Sequence, residues 1–175
     1  MTTTDAPATT TTQVYRVYIK ATADAIWTAL TDPEWTDRYA YGGFVNYDLK
    51  PGGALVVTPG QAMIDGAAAQ GWTLPDVIID GEVIEARRPH LLKSTWRMLM
   101  DPGTAAEPAS ILTYEIKEAG EGVCSLTIIH ELPSSPITAA LTAGSDDLDG
   151  GGGGHPWILS DLKSLLETGS ILATA

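Results

Sequence analysis

The stretch LTYEIKEAGEGVCSLTIIHEL, residues 112–132, decides the fold of this chain. It contains two segments in which apolar residues alternate with other residues, joined by a turn of small and acidic residues. Successive side chains of a strand point to opposite faces, so residues two positions apart share a face. The apolar side chains fall on even positions: Leu112, Tyr114, Ile116, Leu126 and Ile128. The pattern predicts two antiparallel strands with one covered face and one face in water.

Similar segments precede this pair and extend the predicted sheet to about seven antiparallel strands. Pro51, Gly52 and Gly53 are typical of a hairpin turn between two of them. Residues 59–76 break the rhythm with small residues, and we interpret them as a long loop or mobile segment. The predicted strands are residues 14–20, 44–49, 54–58, 80–86, 91–99, 110–117 and 123–132.

Helical spacing replaces strand alternation in three places. A helix N-capped by Thr22 ends before Pro33, and a second short helix follows it. A longer helix occupies residues 155–169, with Gly169 at its C-terminal end. Its apolar residues recur at helical spacing: Ile158, Leu159, Leu162, Leu165 and Leu166. We expect this last helix to cover the apolar face of the sheet, which makes the chain an α+β protein.

The length of 175 residues predicts one domain. Residues 1–13 are rich in threonine and poor in bulky apolar groups, so we expect a disordered tail followed by a single folded domain at residues 14–172. Residues 145–154, SDDLDGGGGG, are interpreted as a flexible acidic linker before the last helix.

The net charge of −12 argues against binding to nucleic acid or to anionic membranes. No apolar run reaches the length of a membrane span, and the N-terminal residues lack the features of a signal peptide. We therefore expect a soluble, cytoplasmic protein. A single cysteine, Cys124, excludes an internal disulfide and a multi-cysteine metal site. We expect no metal and no cofactor, because zinc motifs are absent and the closest histidines, His130 and His155, are 25 positions apart.

The order of elements and five motifs resemble the START-like helix-grip superfamily, also called SRPBCC or birch-pollen-allergen-like. Within it, the chain is most similar to the family of the C-terminal domain of the heat-shock-protein-90 ATPase activator. The motifs that carry the likeness are IKATADAIWTALTDPEWTDRY (19–39), DLKPGGAL (48–55), DGEVIEARRPHLLKSTWR (80–97), LTYEIKEAGEGVCSLTIIHEL (112–132) and HPWILSDLKSLLETG (155–169).

The resemblance implies a curved antiparallel sheet that grips the long C-terminal helix and leaves an apolar cavity between them. Some relatives use this cavity for cyclisation, aromatisation or dehydration of polyketide-like substrates. The sequence departs from the family pattern after the second helix, where Tyr39 or Tyr41 replaces the usual tryptophan. The segment 59–76 is longer than a hairpin turn, which suggests a lid.

Aromatic side chains and one histidine are the candidate wall of this cavity, because rings stack on flat ligands and their polar tips orient them. His130 shares the covered face with Ile128, so it is either an acid–base or ligand-orienting group or an ordinary core histidine. Cys124 shares that face but lies about 20 Å from His130, too far for a nucleophile–base pair. The candidate residues are Trp35, Tyr39, Tyr47, Trp72, Trp96, Tyr114, His130 and Trp157.

Three functions stay open at this point. The first is binding of a small hydrophobic molecule, aromatic or polyketide-like, between the sheet and the last helix. The second is an enzyme of the cyclase, aromatase or dehydratase kind, with His130 as an acid–base group. The third is a protein-interaction module related to the chaperone activator. A homodimer is compatible with all three.

Overall fold

The computed structural model of the chain describes residues 9–144 and 152–172. Seven strands form one antiparallel sheet in the order β1-β7-β6-β5-β4-β3-β2. The strands are β1 Thr10–Ile19, β2 Gly43–Tyr47, β3 Ala54–Pro59, β4 Ile79–Arg87, β5 Leu91–Met98, β6 Ser110–Gly120 and β7 Val123–Pro133. The helices within the described residues are α1 Ala23–Thr31, α2 Pro33–Thr36, α3 Gln61–Ala69, α4 Pro102–Ala105, α5 Pro136–Ala143 and α6 Gly154–Thr168.

The hairpin of β6 and β7 confirms the alternation that predicted it. Leu112 pairs with His130, Tyr114 with Ile128, and Ile116 with Leu126. Leu112, Ile116, Leu126, Ile128 and His130 are buried, so the even positions of both strands face the core. The α+β class, the curved seven-stranded sheet and the covering C-terminal helix are as predicted.

Strand β1 begins at Thr10, inside the segment 1–13 that we expected to be a disordered tail. Its main chain pairs with β7 from Thr10 opposite Pro133 onward. The composition of residues 10–13 did not predict this, because a ladder of main-chain hydrogen bonds needs no apolar side chain. Gln13 adds a side-chain contact by donating from Nε2 to the carbonyl of Ala139 in α5. Residues 1–8 lie outside the described part of the chain.

Helix α3 corrects the prediction of a long loop at residues 59–76. None of its residues is buried. A helix without a buried face needs no apolar stripe, which is the pattern by which a helix is recognised in a sequence. The last part of the segment, from Gln70 to Asp76, is without helix or strand, as predicted.

Helices α4 and α5 were not predicted. The backbone N–H groups of Ile137 and Thr138, at the start of α5, donate to the carboxylate of Glu107, at 2.7 and 2.9 Å. This cap comes from about thirty residues earlier in the chain, so no local sequence motif marks where α5 begins.

The glycines before α6 are partly used for close packing. Gly154 begins α6 with φ +55°, and a Cβ there would overlap the carbonyl oxygen of Thr142 and the amide of Gly144 at the end of α5. Gly153 and Gly154 are buried. At these two positions the interpretation as a flexible linker is wrong, because glycine lets two helix ends meet backbone to backbone. Residues 145–151 of the predicted linker lie outside the described residues.

Helix α6 closes the core through its leucines and one buried carboxylate. Leu159, Leu162 and Leu165 face the sheet and are nearly inaccessible. Asp161 is fully buried and accepts hydrogen bonds from the backbone N–H of Ala40, at 2.6 Å, and of Leu172, at 2.7 Å. Two charge-assisted hydrogen bonds offset much of the cost of burying this carboxylate. None of the described helices is long and apolar enough to cross a membrane.

Substituting Gly154→Ala is expected to destabilise the fold by roughly 3 kcal/mol, from a left-handed backbone and a backbone overlap together. Gly66→Ala, in the middle of α3, is the control, because nothing lies within 4 Å of its Cβ position. It should leave the free energy of unfolding unchanged or raise it by up to about 1 kcal/mol. Urea unfolding of both variants measures the difference, and equal stabilities would contradict the packing described for Gly154.

Candidate functional site

A cavity of about 160 Å³ lies between the sheet and α6. Strands β2 to β6 form one wall, the chain between α2 and β2 a second, and the start of α6 a third. Met63 of α3 lies at its margin. None of the described residues that line it carries a charge. They are Leu30, Thr36, Tyr39, Ala40, Tyr41, Gly42, Gly43, Val45, Tyr47, Leu55, Val57, Met63, Ile78, Ile79, Trp96, Leu112, Tyr114, His155 and Ile158.

Three tyrosines on this lining are held neutral by burial. Burial raises the pKa of Tyr114 to about 12. Burial, followed by neighbouring tyrosines, also raises the pKa values of Tyr39 and Tyr47, and Asp161 adds to the rise at Tyr39. The hydroxyl of Tyr39 donates to the carbonyl of Ala29 at 3.0 Å, which fixes its ring against α1. The tyrosines therefore give the cavity an aromatic lining whose hydroxyl groups are neutral.

A row of three buried side chains connects the sheet to α6 behind this aromatic wall. The hydroxyl of Ser110 donates to the carbonyl of Trp96 at 2.8 Å and lies 2.7 Å from Nε2 of His130. Nδ1 of His130 lies 3.0 Å from Nε2 of His155. The indole of Trp96 packs edge-on against the His130 ring, with centroids 5.1 Å apart.

Both histidines of this row are neutral at physiological pH. Burial, and then the charge of His155, lower the pKa of His130 to about 3. Burial alone lowers the pKa of His155 to about 4. The groups facing the two rings are Ser110, Trp96 and Tyr15, and none of them is an anion that would stabilise an imidazolium.

Four of the eight predicted site residues line the cavity: Tyr39, Tyr47, Trp96 and Tyr114. His130 lies behind the lining, in contact with Trp96 and His155. Its inward orientation agrees with its even position in the strand.

The other three predicted aromatics lie elsewhere. Trp72, after α3, is 64% exposed and does not line the cavity. Trp35 stacks under the guanidinium of Arg38, at 4.5 Å from the ring centroid. Trp157 is half-buried on α6 and is not part of the lining.

His155, Tyr41 and Met63 are site residues that sequence reasoning missed. His155 was set aside with the other histidines because of its distance in sequence from His130, yet β7 and α6 bring the two rings together. Tyr41 had been noted only as a replacement for a family tryptophan. For Met63 the sequence carries no signal, because α3 itself was not predicted.

Asp161 shapes the cavity without lining it. Its hydrogen bond to the backbone of Ala40 holds a lining residue whose φ is +58°. The chain from Tyr39 to Gly43 is thereby fixed above the sheet, with Gly42 also in the left-handed region.

A second, larger depression of about 460 Å³ lies at the turn between β4 and β5. Charged residues form much of its lining, and Lys117 is already paired with Glu115 at 2.8 Å. We interpret it as a solvated groove, because ligand sites are mostly apolar with few polar groups. Within the described residues no cluster of side chains suited to a metal ion is present.

Neither the cysteine nor an arginine of the outer face adds a reactive group to this site. Cys124 is buried, and burial, followed by the charge of Glu118, raises the pKa of its thiol. Arg97, on the outer face, forms two hydrogen bonds with Asp80 at 3.0 and 2.7 Å, which leaves it engaged at the surface.

The profile of one protein family matches residues 20–167, that of activator of Hsp90 ATPase homolog 1-like proteins. No curated protein matches the chain.

Several solved structures have a similar fold. DynU16, a protein in the dynemicin biosynthetic locus, has a TM-score of 0.63 and 21% identity, over 91% of this chain and 48% of its own. CalU16 from Micromonospora echinospora has a TM-score of 0.51 and 21% identity, over 72% of this chain and 63% of its own. The Aha1 dimer from Colwellia psychrerythraea has a TM-score of 0.60 and 14% identity, over 91% and 98%. The chain thus spans less than two thirds of DynU16 and of this CalU16 structure, and the likeness shows the fold alone.

The buried histidines predict a loss of stability in mild acid. Their pKa values are lowered in the folded state, so between about pH 6.5 and pH 4 the unfolded chain binds protons that the folded chain rejects. The free energy of unfolding should therefore fall with decreasing pH, by roughly 1.4 kcal/mol per unit for each histidine.

Urea unfolding between pH 7 and pH 4.5 measures this dependence. His155→Asn should make it shallower than in the wild type, because one buried imidazole is gone. His90→Asn makes the same change at an exposed histidine outside the buried pair and is the matched control. Parallel curves for the wild type and His155→Asn would contradict the assignment.

Proposed function

We propose a function for this chain from two premises: it belongs to the family of activator of Hsp90 ATPase homolog 1-like proteins, and an uncharged aromatic cavity separates its sheet from its last helix. The proposed function is binding of a small hydrophobic molecule in that cavity. The observation that carries the proposal is the lining, in which apolar and aromatic side chains predominate and a few neutral polar groups converge. This composition is typical of sites for small ligands.

In the conformation described, the size of the cavity limits the size of the ligands that it can bind. Its volume of about 160 Å³ is below the roughly 300–1,000 Å³ of most ligand sites and close to that of an engineered cavity, about 150 Å³, that binds benzene. A single six-membered ring therefore fits, and larger polycyclic molecules need the cavity to widen.

Helix α3 is the element that we propose as a lid. Met63 reaches the cavity margin from it, but no residue of the helix is buried. Its N-cap, Gly60, makes no side-chain capping bond, and Gly71, just after its end, has φ +79°. Because little apolar surface holds α3 in place, moving it away costs less than opening any other wall.

Acid–base catalysis is supported less well than binding. A phenol of ordinary pKa near 10 would transfer its proton to an imidazole of pKa about 4 with an equilibrium constant of roughly 10⁻⁶. His130, with a pKa of about 3, is weaker still as a base. These histidines suit a role as neutral hydrogen-bonding groups better than a role in proton abstraction at neutral pH.

A second candidate function is contact with a partner protein, which the description of the matched family favours. Val14 and Tyr18, on the outer face of edge strand β1, are 58% and 56% exposed. If this candidate is right, adding the chain to a purified Hsp90 should increase its ATPase rate. The Tyr18→Ser variant should not produce this increase. No change in the rate with the wild type would contradict it.

Toluene is a suitable probe of the proposed cavity, because it is a single apolar ring. At a hundred times its dissociation constant it should stabilise the fold by about 2.7 kcal/mol, which raises the melting temperature by roughly 5–10 °C. Ile158→Phe fills the cavity from α6 and should remove most of this shift.

The matched control is Ile84→Phe, the same change on the outside of the sheet, where Ile84 is 40% exposed. It should keep the full shift with toluene. The proposal is wrong if Ile158→Phe binds toluene as the wild type does, or if both variants lose the shift equally.

A homodimer and a cytoplasmic location are two further predictions. A homodimer has a precedent in the Colwellia psychrerythraea relative, whose structure is a dimer. Light scattering of the purified chain tests it. A cytoplasmic location is the other, and localisation of a tagged chain tests it.

A further inference from the structure

We propose that the cavity selects neutral molecules carrying a hydroxyl group on an aromatic ring, and that His155 and Tyr41 recognise that hydroxyl. This inference rests on the proposed function, since it names the ligand class of the same cavity. It is argued from the order of protons along the row Ser110–His130–His155.

Ser110 fixes the first proton of the row. Its hydroxyl has one hydrogen, and the carbonyl of Trp96, 2.8 Å away, can only accept it. The Ser110 oxygen must then accept from Nε2 of His130, at 2.7 Å, because two acceptors at that distance would repel each other. His130 therefore carries its proton on Nε2.

The second proton follows from the first. A neutral imidazole protonated on Nε2 has a lone pair on Nδ1. Nδ1 of His130 must accept from Nε2 of His155, 3.0 Å away. His155 is thus also protonated on Nε2, and its own Nδ1 is left as an acceptor.

This acceptor belongs to a residue of the cavity wall. His155 lines the cavity and is only 4% exposed. None of the described residues donates a hydrogen bond to its Nδ1. Among the described residues, the buried polar side-chain atoms without a partner are Nε1 of Trp27 and the hydroxyl of Tyr41, so Nδ1 of His155 keeps some accessible surface. A ligand that donates a hydrogen bond to this nitrogen gains more than one that places an apolar group against it.

Tyr41 offers the complementary group from the wall between α2 and β2. Its hydroxyl oxygen is buried and has no hydrogen-bond partner of good geometry among the described residues. Burial raises its pKa, while the nearby backbone N–H groups of Gly153 and Gly154 lower it in part, so the hydroxyl lies close to the residue preceding His155. Those N–H groups are donors and cannot accept the Tyr41 hydrogen.

A phenolic hydroxyl has the two capacities that match these groups, because it can donate one hydrogen bond, to His155, and accept another, from Tyr41. A carboxylate cannot donate to His155 and would meet no cation in the lining. An ammonium group would have no anion there and cannot accept from Tyr41. The volume admits one ring, so phenol itself is the smallest member of the class.

The test compares phenol with toluene, in which a methyl group replaces the hydroxyl, by titration calorimetry. The measured quantity is the ratio of the toluene dissociation constant to the phenol dissociation constant. His155→Leu should lower this ratio at least about tenfold, the effect of one lost hydrogen bond in a buried site. Tyr41→Phe should lower it several-fold, and His90→Leu, at an exposed residue that does not line the cavity, should leave it unchanged.

The proton positions are tested separately by ¹⁵N NMR of the imidazole rings in the wild type, so the inference does not depend on the folding of His155→Leu. We expect both rings of the row to be protonated on Nε2, and phenol, but not toluene, to shift the Nδ1 resonance of His155. Protonation of either ring on Nδ1 would overturn the inference.

The binding results separate the two proposals. If toluene and phenol both bind and their ratio is the same in the wild type and in His155→Leu, the inference is wrong and the proposed function stands. If neither molecule binds to the wild type, both are wrong.

Discussion

A hydrogen bond between two buried imidazoles joins the sheet to its covering helix. His130 belongs to β7 and His155 to the first turn of α6, and their nitrogens lie 3.0 Å apart. Neither ring faces an ion that would hold it charged, so the pair is stable only while both rings are neutral and fully paired along this contact. Asp161, further along α6, holds the opposite wall through Ala40. The cavity is the space left between these two attachments.

The sequence alone predicted the sheet because the alternation of side chains along a strand is a local signal. Position 130 faces the core for the same reason that 126 and 128 do, and that argument needs no tertiary information. Of the helices it missed, α5 is capped by Glu107 from about thirty residues earlier in the chain, and α3 has no buried residue. The short helix α4 is capped locally, by the carboxylate of Asp101. The glycines before α6 show the reverse case, since a composition typical of flexible linkers also permits close contact between backbones.

Four of the eight residues predicted from the sequence line the cavity, and the other four do not. Tyr47, Trp96 and Tyr114 lie on strands whose inward face could be read from alternation. Trp72 was a candidate as an aromatic side chain of the predicted loop at residues 59–76, but loops also lie at the surface, where this side chain is found. His155 shows the main limit: separation in sequence says little about distance when a sheet and a helix pack together.

The net charge of the chain and the lining of the cavity both disfavour anionic ligands. The net charge acts at a distance, and the lining acts at contact. The net charge of −12 repels anions in solution, and salt screens this effect beyond about 8 Å. The cavity excludes them at contact, because an anion loses its water and finds no cation. Burial of the tyrosines and histidines keeps these groups neutral, so the cavity cannot develop a compensating charge near neutral pH. Selection for neutral ligands is therefore set by the lining itself and should persist at high salt.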